Sequence, residues 1–331
     1  MSDLRKDPFS GGWVIIAGER PLPRLPLPEV APSDEVCPFC PGQERQTPHE
    51  VLAYRPPMGG GHLAPWTVRA FPSRQPTLRI ESSGEREAEG LYDRQGGLGA
   101  HEVVVETPDH LRALTDLNPS EIELVLAAWR DRMHDLSRDQ RFRCVVVAKQ
   151  HGPTAGATVR HSHSQVLALP TVPPRLAGEL RHVTAHHQAH DRCLTCDVVR
   201  QERRDRRRLV FENEDCIVVT PFASRAPFET WIIPRRHQAS FDDAPVSERP
   251  RLAAALRLAL VRLRRALDDP PYHLVLVSAP FSERGSPSFH YRFELTPRLV
   301  PQTAVETASG CCVNPIPPEE AARFLRELDL D

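Results

Sequence analysis

The sequence predicts an α+β fold built from two tandem copies of one unit, each an antiparallel sheet with helices packed on it. Three observations predict it. Short β-rich runs are interrupted by two long helical stretches. The second half repeats the order of elements in the first. Chemically like residues also recur at matching spacings. Cys37-Pro38-Phe39-Cys40 has a counterpart in Cys193-Leu194-Thr195-Cys196. Glu102 stands eight residues before His110, and Glu229 eight before His237. Val145 stands sixteen before His161, and Leu274 sixteen before His290. Recurrence of this kind is the mark of a duplicated unit.

Each element can be read in turn. Trp13-Val14-Ile15-Ile16-Ala17 and Glu102-Val103-Val104-Val105-Glu106 are β-branched runs and predict strands. Ser120 to Leu136 has helical periodicity, opened by Pro119-Ser120 with Glu121 and Glu123 in the first turn. Cys144 to Ala148 and Gln165 to Leu169 predict strands, joined through a small-residue loop, Gly152 to Thr158. In the second half, Thr230 to Ile233 predicts a strand and Arg249 to Leu267 a long Leu/Ala/Arg helix. Leu274 to Val277 and Tyr291 to Leu295 predict the last strand pair. Residues 171–190, with Pro170, Pro173 and Pro174, read as the connection, giving units 1–175 and 176–331.

The 331 residues suffice for two domains of ordinary size. A formal net charge of -2 gives no global footprint for nucleic acid. No apolar run reaches the length of a membrane span, and Met1 to Arg20 has no signal-peptide core, so the expected place is the cytoplasm. There the eight cysteines are expected as thiols or metal ligands rather than disulfides. Many of the 34 prolines fall between Pro21 and Pro57, which reads as loop.

Two candidate metal centres follow from the repeat: Cys37, Cys40, His110 and His161, then Cys193, Cys196, His237 and His290. Two thiolates and two imidazoles complete a zinc tetrahedron and leave no place for water, which makes such a site structural. The competing reading is ordinary thiols, or a redox Cys-x-x-Cys. Cys144, Cys216, Cys311 and Cys312 read as small buried hydrophobes. His182, His186, His187 and His190 share helical spacing, and read as a solvated helix face in preference to a metal set.

In His161-Ser162-His163-Ser164-Gln165, strand alternation turns His161, His163 and Gln165 to one face. The preceding loop, with Gly156 and Thr158, can bring backbone amides to a phosphate. A neutral imidazole there can attack a phosphoryl group. Gln165 can donate to a phosphoryl oxygen but cannot protonate a leaving group, which suits transfer rather than hydrolysis. The alternative makes His161 and His163 a metal pair. The repeat weighs against it: His161 is matched by His290, whereas the place of His163 is taken by Arg292.

At these residues the chain resembles the galactose-1-phosphate uridylyltransferase family of the histidine-triad superfamily. The likeness covers Leu4-Arg5-Lys6-Asp7-Pro8, Cys37 to Gly42, His101 to His110, Ala155-Gly156-Ala157, His161 to Gln165, and Asn314-Pro315 with Pro318 to Ala322. It implies two histidine-triad-like units and His163 as the nucleotidylated nucleophile, with Gln165 contacting the phosphate. It also implies Arg20, Ser73, Gln150, Gly156, Thr158 and Ser164 near the substrate, zinc at both centres, a nucleotide sugar and a sugar 1-phosphate as partners, and a homodimer. The implied reaction is UDP-glucose plus galactose 1-phosphate giving glucose 1-phosphate plus UDP-galactose. Gln150 and Ser73 stand where the family usually has asparagine. The second metal set resembles the branch that includes ADP-glucose phosphorylases, with Glu294 and Thr296 where other members have histidines. Adenylyl transfer from an ADP-sugar is therefore the rival expectation, and a non-catalytic nucleotide-binding zinc protein the third.

Overall fold

The computed structural model describes residues 2–16, 36–56 and 65–330. Arg20 lies outside the described residues. An N-terminal hairpin, β1 (Asp3–Lys6) and β2 (Trp13–Ile16), is extended by a parallel strand near the C-terminus, β15 (Cys312–Asn314). The first half continues with β3 (Leu52–Tyr54), β4 (Val68–Pro72), an exposed hairpin of β5 (Arg86–Glu89) and β6 (Tyr92–Gln95), and β7 (Ala100–Val105). Helix α1 (Pro119–Leu136), β8 (Cys144–His151) and β9 (His163–Leu169) complete it. Then come α2 (Pro174–His190), α3 (Leu194–Asp205), β10 (Leu209–Glu212), β11 (Cys216–Val219), β12 (Thr230–Pro234), α4 (Arg249–Leu267), β13 (Tyr272–Val277) and β14 (Arg292–Pro297). Helices α5 (Ala304–Ser309) and α6 (Pro318–Glu327) flank β15.

Ten strands form one antiparallel sheet in the order β10-β11-β12-β14-β13-β8-β9-β7-β4-β3. Read outward from the β13–β8 seam, the two sides match strand for strand: β8 with β13, β9 with β14, β7 with β12, β4 with β11 and β3 with β10. This is the duplicated α+β unit that the spacings predict. At the seam, Tyr272 faces His151 and Leu276 faces Val147.

Helices α1 and α4 correspond in the same way and pack together over one face of the sheet. Helix α1 begins in a capping box: Asn118 Oδ1 accepts the Glu121 N–H at 3.0 Å, and Glu121 accepts the Asn118 N–H at 2.8 Å. Pro119 at the first helical position loses no hydrogen bond. The helices bury Ile122, Val125, Leu126, Trp129, Leu252, Leu256 and Leu260 against the inward residues of the sheet. Each such side chain stabilises by about 1.5–3 kcal/mol.

Residues 171–190, expected as a connection, are mostly the helix α2. Pro173 and Pro174 are its N-cap and first residue, positions where proline starts a helix rather than breaks one. Among the described residues no helix is long and apolar enough to cross a membrane.

Candidate active site

Strand β9 carries the candidate residues from its first residue, His163, onward. Its neighbour β7 places Val105 opposite His163 and Val103 opposite Gln165. Directly opposed residues share a face, so His163 and Gln165 look away from α1, as the alternation predicts.

His163 is buried, and Phe39 lies edge-on to its ring at 5.2 Å. Its Nδ1 lies 2.8 Å from the His161 carbonyl. A carbonyl only accepts, so Nδ1 carries the proton and Nε2 keeps its lone pair. Burial, then the neighbouring Lys149 charge, holds this imidazole below its usual pKa range. The ring is therefore neutral near pH 7 and nucleophilic at Nε2.

Gln165 is held by two side chains. His101 Nε2 lies 3.0 Å from Gln165 Oε1, and Gln165 Nε2 donates to Gln150 Oε1 at 3.3 Å. Gly156 adopts φ +88°, a left-handed conformation, and a Cβ there would stand 2.9 Å from the Gln150 amide nitrogen. The loop is braced from the second half: His273 Nε2 donates to the Ala155 carbonyl at 2.9 Å. A Cβ at Gly152, φ +80°, would meet Pro271 at 2.9 Å. Thr158 is exposed on this loop. Ser73, just past β4, donates its N–H to the His101 carbonyl at 2.8 Å.

Ser164 requires a correction. Its hydroxyl accepts from Trp129 Nε1 at 2.7 Å on the helix-facing side and is fully buried. The same alternation that sets His163 on one face turns Ser164 to the other, so it joins strand to helix and does not share the face of His163 and Gln165. On that hidden side Lys149 Nζ donates to Glu106 Oε2 at 2.7 Å, to Ser162 Oγ at 3.0 Å and to the His163 carbonyl at 3.1 Å. Nearby, Arg132 makes a two-point contact with Glu102, at 2.7 and 2.8 Å.

The first Cys/His set converges. The four candidate ligand atoms of Cys37, Cys40, His110 and His161 lie within 4.8 Å of one another. Cys40 Sγ is 3.4 Å from His110 Nδ1 and 3.6 Å from His161 Nδ1, and Cys37 Sγ is 3.8 Å from His161 Nδ1. Bond lengths of about 2.3 Å to sulfur and 2.05 Å to nitrogen in a tetrahedron separate S and N by about 3.6 Å, so the donors have the spacing of a shared cation. His161 Nε2 donates to the Thr107 carbonyl at 2.7 Å, leaving Nδ1 as the ligating lone pair. Burial, then Cys37, pushes the Cys40 thiol up to about 11. Without a cation between them, Cys37 disfavours the charged form of Cys40.

The second set repeats the arrangement. Cys193, Cys196, His237 and His290 also lie within 4.8 Å. Cys196 Sγ is 3.5 Å from His237 Nδ1 and 3.6 Å from His290 Nδ1, and His237 Nε2 donates to the Ser286 carbonyl at 3.1 Å. Here Cys193 is the N-cap of α3. The residues at the places of His163 and Gln165 are Arg292 and Glu294, which pair with each other. Arg292 is buried between Glu179 and Glu294 and covers the Trp231 ring at 4.4 Å. Arg225 and Arg175 also pair with Glu294. The histidine run on α2 is partly spent on hydrogen bonds to carboxylates, His186 with Asp197 at 2.9 Å. The basic run after it is likewise paired, Arg203 and Arg206 with Glu212 and Arg208 with Glu202 and Glu319. Cys144 and Cys216 are buried as expected, whereas Cys311 and Cys312 are half-buried.

Three residues of this site escaped the sequence reading: His101, Lys149 and Glu106. His101 lies two residues before Val103, whose pairing with Gln165 is a matter of strand register that no local pattern encodes.

Comparison with known proteins adds the following. The model of the galactose-1-phosphate uridyl transferase N-terminal domain matches residues 24–173, and that of the C-terminal domain matches residues 179–307. The chain is similar to ADP-glucose phosphorylase of Arabidopsis thaliana, 31% identical over 99% of this chain and 93% of the relative. It is also similar to galactose-1-phosphate uridylyltransferase of Thermotoga maritima, 29% identical over 100% of both. Among solved structures, an Arabidopsis thaliana ADP-glucose phosphorylase with bound ADP-glucose superimposes with a TM-score of 0.85 at 29% identity, covering 100% of each chain.

Proposed function

Because the chain belongs to the galactose-1-phosphate uridylyltransferase family, we propose that it exchanges uridine monophosphate between glucose 1-phosphate and galactose 1-phosphate through a covalent intermediate on His163. The lone pair of His163 Nε2 attacks the nucleoside-side phosphorus of UDP-glucose. The bond from that phosphorus to the bridging oxygen breaks, and glucose 1-phosphate leaves as an anion with the electron pair. A phosphate oxygen of galactose 1-phosphate then attacks the same phosphorus, the N–P bond breaks and UDP-galactose departs. Neither step needs a strong general acid, because the leaving groups are stable anions.

The observation that carries this reading is the fixed tautomer of His163, with Nδ1–H bound to the His161 carbonyl and Nε2 open on the face shared with Gln165. Gln165 is assigned to donate to the developing phosphoryl charge. Arg20, Ser73, Gln150, Gly156 and Thr158 are assigned to the substrate. Both Cys/His sets are assigned to zinc, and with four protein ligands each they stabilise the fold without taking part in chemistry. The transfer site falls to residues 1–175, and residues 176–331 form a unit without a nucleophile. A cytoplasmic homodimer is the expected working form, and sedimentation would test the dimer.

A second reading, adenylyl transfer from ADP-glucose to phosphate, is favoured by the likeness to ADP-glucose phosphorylases. Incubation with UDP-glucose and ADP-glucose, each radiolabelled in the nucleoside monophosphate, separates the two by which label stays on the protein. Stable labelling of His163→Ala would refute the covalent scheme.

A further inference from the structure

We propose that His101 is a positioning residue for the transfer step, fixing which end of the Gln165 carboxamide faces the phosphoryl group. The assignment rests on the reading of Gln165 given above. It starts from a backbone amide. The Thr77 N–H can only donate, and it points at His101 Nδ1 at 3.1 Å. His101 Nδ1 therefore accepts and carries no proton. In the neutral ring the proton sits on Nε2, which can then only donate.

The partner of Nε2 at 3.0 Å must accordingly be an acceptor, which is Gln165 Oε1. An amide has two ends of opposite character, so fixing the oxygen fixes the nitrogen. Gln165 Nε2 then lies toward Gln150 Oε1, where one of its hydrogens is used at 3.3 Å. Its second hydrogen is left for a ligand. Turned end for end, the same side chain would present Oε1 to phosphoryl oxygens and repel them. Orientation of this amide is thus a chemical requirement, and it is relayed from the main chain through one imidazole.

The geometry of the sheet makes the relay possible. Val103 pairs with Gln165 across β7 and β9, so His101, two residues on, is its diagonal neighbour on the same face. Thr77 comes from the segment after β4, which runs back along the end of β7. His101 is half-buried and touches none of the eight candidate metal ligands. Its role is positioning, since it acts through Gln165.

The test compares His101→Gln and His101→Phe with the wild type, alone and combined with Gln165→Ala. The glutamine amide can place a donor where Nε2 stood; phenylalanine fills the space and donates nothing. Single-turnover labelling of the protein by radiolabelled UDP-glucose and ADP-glucose is measured with KM and the melting temperature. Removing a whole donor from such a site costs roughly 10²–10³ in rate, and letting the donor turn away part of the time costs less. The expected result is about tenfold slower labelling in His101→Phe, with KM and melting temperature unchanged. His101→Gln should recover most of the rate, and His101→Phe should have no further effect once Gln165 is alanine. Equal labelling rates in His101→Phe and wild type would overturn the inference while leaving the proposed function intact. So would a rate loss that persists undiminished in the Gln165→Ala background. Absence of label on the wild type with either nucleotide sugar would overturn the proposed function itself, and with it any role for His101 in transfer.

Discussion

Replacing Lys149 with methionine should destabilise the protein far more than its single ion pair suggests. Lys149 and Glu106 are both buried, and the ammonium supplies three hydrogen bonds, to Glu106, Ser162 and the His163 carbonyl. Methionine fills nearly the same volume, so packing is preserved and the charge alone is removed. Glu106 Oε2 then keeps only Ser162, at 2.6 Å, and Oε1 already has no hydrogen-bond partner. An uncompensated buried carboxylate of this kind costs about 3–5 kcal/mol. With an unfolding entropy of about 2.1 cal/mol/K per residue, the 331 residues convert this to a drop in Tm of roughly 4–7 °C. Thermal and urea unfolding measure it. The double variant Lys149→Met, Glu106→Gln should lose less than Lys149→Met alone, because no charge is stranded. A single variant within about 1 kcal/mol of wild type, or a double variant equal to the sum of the singles, would refute the reasoning.

Cys40→Ser should lower zinc content by one ion per chain and reduce thermal stability with it; freshly purified wild type without zinc would end the metal assignment. Burial alone would raise the Glu294 carboxyl, but Arg292, Arg225 and Arg175 overcome it and hold the group well below its usual range. A depressed carboxylate stabilises fully above its unfolded pKa of about 4.3, and that contribution is lost as pH falls towards the folded value. Glu294→Gln should therefore be destabilised at neutral pH, with the gap to wild type narrowing in acid, and a gap constant in Tm from neutral to acid pH would contradict this. Gly156→Ala should slow labelling and cost about 1–3 kcal/mol, since its φ of +88° disfavours a side chain and the new Cβ meets Gln150; unchanged stability would contradict the strain.

The fold was legible wherever chemistry repeated. Spacing between Cys-x-x-Cys and two histidines recurs in both halves, and the candidate ligand atoms of each set lie within 4.8 Å of one another. Alternation in β9 foretold which side His163 takes, and it also foretold that Ser164 faces the helix, against its place among expected substrate contacts. What stayed hidden depends on strand register. Gln165 meets His101 across 64 positions and Lys149 meets Glu106 across 43, and no local pattern encodes such pairings. Helix α2 was obscured by its own start signal, since Pro173 and Pro174 read as interruption when their neighbours are unknown.

The seam between β8 and β13 has a consequence for how this chain could have arisen and how it can be cut. A single ancestral unit would present the strand equivalent to β8 as a bare margin, rich in valine and ready to pair. Fusing two copies back to back closes that margin on both at once. His273 and Pro271 of one half also brace the loop of the other. Liberating residues 1–175 would expose Cys144–His151 and release the loop beside Gln150 together, so the severed half would tend to recruit another strand before it could bind a nucleotide.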